Sequence, residues 1–119
     1  MKEQIQLKYK DICIPVTLND TAAAKEFFKR LPVEYAGKRL KDNYCFCAPI
    51  GCYDPQETQA GWKNGDISLA RGHFRILFDG EEESSQYTGL MVIGHLEEKQ
   101  RKMIQEFPET LRLKIEVNK

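Results

Sequence analysis

An excess of charge of either sign is missing from this sequence. Its 18 basic and 18 acidic residues cancel. They also cancel locally, with nine basic against eight acidic residues in positions 1–60 and nine against ten in 61–119. Binding to a nucleic-acid backbone needs a surplus of positive charge on one face. We therefore expect no nucleic-acid partner.

Long apolar runs are missing as well. No uninterrupted apolar stretch approaches the length of a membrane span. The first residues alternate between polar and apolar side chains and do not form the apolar core of a secretory signal. We expect no membrane partner and a cytoplasmic location, where the four cysteines would stay reduced.

The motifs of several large enzyme classes are also absent. The sequence contains no phosphate-binding loop, no dinucleotide-binding glycine pattern and no recognisable nucleophile–histidine–acid motif. We therefore expect no cofactor. Whether the protein is an enzyme stays open at this point.

Alternation of apolar and polar residues is what the sequence does contain. It runs over 5–18 and is interrupted only at 10–11, which predicts a hairpin with a two-residue loop. A second hairpin closed at 71–72 would pair Leu69 with Phe74, so that the apolar residues of both strands share one face.

A period of 3.6 residues replaces this alternation after Asp20, which we expect to be the N-cap of a helix. The apolar stripe of this helix consists of Ala24, Phe27, Phe28 and Leu31. Pro32 ends the pattern. A second, weaker helical pattern lies within 97–107.

About eight strands can be counted, each with one apolar face. Those faces need a common interior, which a closed barrel provides. We predict a mainly β protein, a closed eight-stranded antiparallel barrel with one or two helices, forming a single domain over residues 1–119. Its interior should be filled by side chains, leaving the outer wall and the loops for any binding site. The residues expected to be buried together are Ile14, Phe27, Leu69, Phe74, Ile76, Leu113 and Ile115.

A series of short segments carries a family resemblance. They are the helix that ends in Leu31-Pro32, then Gly65-Asp66-Ile67, Phe74-Arg75-Ile76-Leu77-Phe78, Gly89-Leu90 with Ile93-Gly94, and Ile115-Glu116-Val117. In this order they resemble the small prokaryotic cyclophilin-like proteins, which implies a cyclophilin-like barrel. True cyclophilins are prolyl isomerases that act along one outer groove. The marker motifs of true cyclophilins share residue types with this sequence, but the residues stand in a different order. The resemblance therefore assigns no catalytic residue here.

The second hairpin supplies candidate binding residues. His73 and Arg75 alternate with inward-facing residues, so both should lie on the outer wall beside Ser68. Such side chains could donate hydrogen bonds to a ligand carboxylate or a peptide carbonyl. Trp62 and the loop over 48–61 would complete the wall of the groove, unless Trp62 is simply an anchor in the core.

His95 lies in the apolar run over 90–96, which is typical of a strand buried on both faces. We therefore expect a core histidine bonded to a backbone group.

Cys45, Cys47 and Cys52 form a cluster whose spacing differs from that of a typical zinc site. We expect these thiols, together with Cys13, to be free and to hold no metal.

The leading hypothesis is a domain that binds a peptide segment or a small ligand on the outer groove of the barrel. A divergent peptidyl-prolyl isomerase using Arg75 is the enzyme alternative. A cysteine-based metal or thiol-redox protein is the third. The oligomeric state cannot be read from these patterns.

Overall fold

The segments in which apolar and polar residues alternate form strands, and the two segments with a helical period of 3.6 residues form helices. The computed structural model describes residues 2–49 and 51–118. The strands are β1 (Gln4–Tyr9), β2 (Ile12–Leu18), β3 (Val33–Arg39), β4 (Tyr44–Cys47), β5 (Asp66–Ala70), β6 (His73–Leu77), β7 (Val92–His95) and β8 (Thr110–Val117). The helices are α1 (Ala22–Arg30) and α2 (Glu98–Ile104), with 3₁₀ turns at Pro55–Glu57 and Glu81–Gln86.

The eight strands close into an antiparallel barrel in the order β1-β2-β7-β5-β6-β4-β3-β8, with β8 pairing back onto β1. The predicted closed barrel is confirmed. Closure removes the exposed edges of an open sheet and gives each strand an inner and an outer face.

The first predicted hairpin has the expected register. Leu7 pairs with Ile14, and Ile5 pairs with Val16. All four side chains are buried, so the alternation in the sequence assigns the inner face of this ribbon correctly.

The second predicted hairpin, β5–β6, is also confirmed, with Leu69 opposite Phe74. Its loop residues Arg71 and Gly72 have φ values of 56° and 82°. Two positive φ values are typical of the two-residue turns whose twist matches that of the flanking strands. Because the register is fixed at this turn, Ser68 faces Arg75 on the opposite, outer face.

Side chains fill the interior of the barrel, as predicted. All seven residues expected to be buried together belong to one apolar cluster. Its centre is aromatic: the ring centroids of Phe27 and Phe74 are 5.5 Å apart, and those of Phe46 and Phe74 are 6.1 Å apart. The Tyr44 hydroxyl donates to Phe107 O at 2.9 Å, so its polar end is satisfied within the core.

Helix α1 begins one residue later than expected. Its N-cap is Thr21, whose hydroxyl accepts a hydrogen bond from Ala24 N at 3.2 Å. Asn19 Oδ1 in turn accepts from Thr21 N at 3.1 Å, so Asn19 and Thr21 organise the helix start and the expected cap at Asp20 is wrong. No helix within the described ranges is long and apolar enough to cross a membrane.

The strand around His95 is shorter than the apolar run predicts, and it is not buried on both faces along its whole length. β7 pairs with β5 through a register shift between Ile67 and Ser68. Ile93 and Gly94 are both buried, whereas His95 is exposed. A β-bulge breaks the alternation of faces, and it turns His95 outward.

Replacing Phe74 with alanine should destabilise the fold by about 3–5 kcal/mol, because it empties a fully buried aromatic position. Urea unfolding followed by circular dichroism measures this. The matched control is His73→Ala on the same strand but on the outer face, where a change within about 0.5 kcal/mol is expected. Equal losses for both variants would contradict the assignment of inner and outer faces.

Candidate functional site

A groove of about 210 Å³ lies on the outer wall of the barrel, between the β5–β6 hairpin and residues 88–90. We call it the β5–β6 groove. It is lined by Ser68, Ala70, Arg71, His73, Arg75, Thr88, Gly89 and Leu90. Ser68, His73 and Arg75, three of the four residues singled out from the sequence, therefore lie together.

The hairpin itself positions these three side chains. Ser68 lies opposite Arg75, and Ala70 lies opposite His73. Because residues two apart on a strand point to the same face, His73 and Arg75 both lie on the outer wall. Ser68 is only 4% exposed and still lines the groove, which places its hydroxyl at the floor.

Residues 88–90 form the second wall of the groove. Leu90 and Gln59 exchange two backbone hydrogen bonds of 2.9 Å, which hold this segment in place. Gly89 has a φ of 72°, and a side chain at this position would begin 3.4 Å from Arg71 Nη2. The Arg71 guanidinium therefore lies beside Gly89 of the second wall, where the missing side chain leaves room for it.

Trp62 lies outside the β5–β6 groove. The residue is 9% exposed, its Nε1 donates to Asp79 O at 2.9 Å, and its ring stacks on Tyr87 with centroids 5.6 Å apart. These contacts are those of an anchor. Trp62 lines a second groove of about 160 Å³, whose acidic side chains are Asp42, Asp79, Glu82 and Glu83.

The loop after β4 also lies outside the β5–β6 groove, since no residue of 48–49 or 51–61 lines it. Cys52 N instead donates to Glu26 Oε2 at 3.1 Å, and Glu26 forms an ion pair with Arg30 of the same helix. The hydrogen bond from Arg30, and a further one from Cys52, lower the pKa of the Glu26 carboxyl. The loop is thereby tied to α1.

All four cysteines lie in the described part of the chain and are free thiols. Cys47 lies opposite His73, and Cys45 lies opposite Arg75, so both β4 thiols flank the groove on the outer wall. Cys13 is on β2, on another side of the barrel. Within 2–49 and 51–118, no three histidine, cysteine or acidic side chains are arranged to hold a metal ion.

Asp66 and His95 form a pair that the sequence pattern missed. His95 Nδ1 lies 2.7 Å from Asp66 Oδ1, while Asp66 Oδ2 accepts from Lys63 N at 2.9 Å. A carboxylate that accepts from a turn amide is typical of aspartate at such a position, but the expected core histidine is wrong. The bulge in β7 turns His95 outward. The pair could have been predicted only from a sequence signal for that bulge, and the periodicity of apolar residues contains no such signal.

Known proteins resemble this arrangement of strands and loops. The model of a group described as the cyclophilin-like family matches residues 7–116. The chain belongs to the cyclophilin-like family. Among curated proteins, none matches the sequence.

A solved structure shares the fold of this cyclophilin-like domain. It is the solution structure of a hypothetical protein from Archaeoglobus fulgidus, which is similar over 98% of this chain and 95% of its own, with a TM-score of 0.70 and 12% sequence identity. At this identity the likeness concerns the fold alone. The function of the cyclophilin-like domain must therefore be argued from its own groove.

Replacing Glu26 with glutamine should speed the alkylation of Cys52 by iodoacetamide. The hydrogen bond and the negative charge of Glu26 raise the pKa of the Cys52 thiol, and only the thiolate reacts. Peptide mass spectrometry after timed alkylation gives the rate at each cysteine. Cys13 is the internal control, because it lies away from Glu26 and its rate should be the same in both proteins. An unchanged Cys52 rate would show that Glu26 does not control this thiol.

Proposed function

We propose that this cyclophilin-like domain binds a small ligand or a peptide segment in the β5–β6 groove, with Arg75 as the principal donor. The observation that carries the proposal is the convergence of polar side chains in one concave site. Ser68, His73 and Arg75 line the groove together with the apolar surfaces of Ala70 and Leu90. Apolar walls with a few convergent polar groups are typical of ligand sites.

The chemistry of the donors supports an acceptor-bearing ligand. A guanidinium has five N–H donors in a planar fork and no acceptor. It therefore matches a carboxylate or a carbonyl oxygen of a ligand. The hydroxyl of Ser68, opposite Arg75, can either donate or accept and could bond a neighbouring ligand atom.

Prolyl isomerisation has less support than binding. In the isomerase alternative, Arg75 acts beside aromatic side chains that hold the proline ring. Among the described residues that line the groove, none is a phenylalanine, tyrosine or tryptophan, and Trp62 lines a different groove. Binding therefore remains the function we propose, in the cytoplasm, where the free thiols would stay reduced.

Replacing Arg75 with alanine should weaken binding without loss of the fold. The probe is the dipeptide N-acetyl-alanyl-proline with a free carboxylate, titrated into labelled protein and followed by amide chemical shifts. We expect saturable shifts at Ser68, Thr88 and Gly89. Loss of a charge-assisted hydrogen bond should raise the Kd by roughly 10- to 150-fold, about 1.5–3 kcal/mol.

The matched control is Arg112→Ala. Arg112 is an outward arginine of β8 that bonds to Glu34, far from the groove in the strand order, and its loss should leave the Kd unchanged. Shifts that map to another surface would refute the proposed site. The same holds if Arg75→Ala binds the dipeptide as well as the parent protein does.

A further inference from the structure

The arginines of this protein divide into two groups. Of the six in the sequence, four donate hydrogen bonds: Arg30 to Glu26, Arg39 to Phe107 O, Arg101 to Phe78 O and Arg112 to Glu34. For the other two, Arg71 and Arg75, no side-chain hydrogen bond or ion pair exists with any described residue. These two line the β5–β6 groove.

The histidines divide in the same way. His95 bonds to Asp66, whereas His73 has no side-chain partner among residues 2–49 and 51–118. His73 also lines the groove. The two arginines and the one histidine that lack a side-chain partner among the described residues therefore all line the same groove, which favours an external acceptor.

No carboxylate lies in the outward cross-strand rows that contain Arg75 and His73, and Asp66, in the next row of β5, is engaged with His95 and Lys63 N. The outward row through Arg75 consists of Lys38, Cys45, Arg75, Ser68 and Val92, and the row through His73 consists of Cys47, His73 and Ala70. Neither row contains an acidic residue, and no acidic residue lines the groove. Two guanidinium groups that line one groove repel each other, and an anion bound between them would offset that repulsion.

The floor of the groove adds a neutral donor. Ser68 is 4% exposed and lines the groove, yet its hydroxyl has no hydrogen bond to a residue of the described ranges. Ser68 Oγ is not one of the described buried polar atoms that lack a partner, so solvent reaches it and it is free to bond a ligand. One oxygen of a ligand oxyanion at the floor would accept from Ser68, while the same group accepts charge-assisted hydrogen bonds from an arginine.

We propose that the β5–β6 groove is an oxyanion site, which binds a carboxylate or phosphate group between Arg71 and Arg75 with Ser68 as a third donor. This inference rests on the proposed function and specifies its ligand. The groove, of about 210 Å³, is open to solvent and has room for one oxyanion with a short stem.

The test compares two probes that differ in one charge. N-acetyl-alanyl-proline, with its free carboxylate, and the corresponding C-terminal amide are titrated separately into the protein in phosphate-free buffer. Inorganic phosphate is titrated as a third probe, to separate a free oxyanion from one carried by a peptide. We expect the carboxylate form to bind at least about 10-fold more tightly than the amide, because the amide loses one charge-assisted hydrogen bond.

Variants assign the effect to the groove. Arg71→Ala and Arg75→Ala should each reduce the preference for the carboxylate, and Arg112→Ala should preserve it. Equal binding of acid and amide at the groove would overturn the oxyanion inference while leaving the proposed function standing. If no probe, phosphate included, shifts the groove amides, both are wrong. Binding of phosphate alone supports a free oxyanion as the ligand, and binding of the dipeptide acid alone supports a peptide-borne one.

Discussion

The register of the β5–β6 hairpin is the constraint on which the rest of this structure depends. The turn at Arg71 and Gly72, with φ positive at both residues, places Leu69 and Phe74 inside and Ser68 and Arg75 outside. A slip of one residue would exchange the two faces. It would put a guanidinium into an aromatic core and leave the groove without its donors. One turn thus determines both the packing and the candidate site.

The filled interior explains why the site is on the outside. Eight strands enclose just enough space for their own side chains, and large residues such as Phe46, Phe74 and Tyr44 occupy it. A ligand can then be recognised only on the wall or at the loops. The outward positions of β5 and β6 do not face the interior of the barrel, so they can carry charged and hydroxyl groups without disturbing the packing of the core.

Although the charges of the whole chain cancel, two of its surface grooves carry side chains of opposite charge. The β5–β6 groove has two unpaired arginines and no carboxylate in its lining. The groove beside Trp62 and Tyr87 has four carboxylates and one lysine. Folding separates these charges to either side of the segment that contains Tyr87 and Thr88. A net charge of zero therefore excludes a uniformly charged surface but says nothing about local sites.

The sequence by itself determined the features that repeat at a fixed period. Alternation gave the hairpin registers, the inner residues and the closed barrel, and the i, i+3, i+4 spacing gave α1, because burial of one face imposes these periods. Ser68, His73 and Arg75 followed from the same alternation. Only the tertiary structure decided what depends on contacts between distant segments. The bulge in β7 turns His95 towards Asp66. Residues 88–90 form the second wall of the β5–β6 groove. Trp62 lies outside that groove because it contacts Asp79 and Tyr87. These contacts leave no period in the sequence, since each joins residues whose separation along the chain is arbitrary.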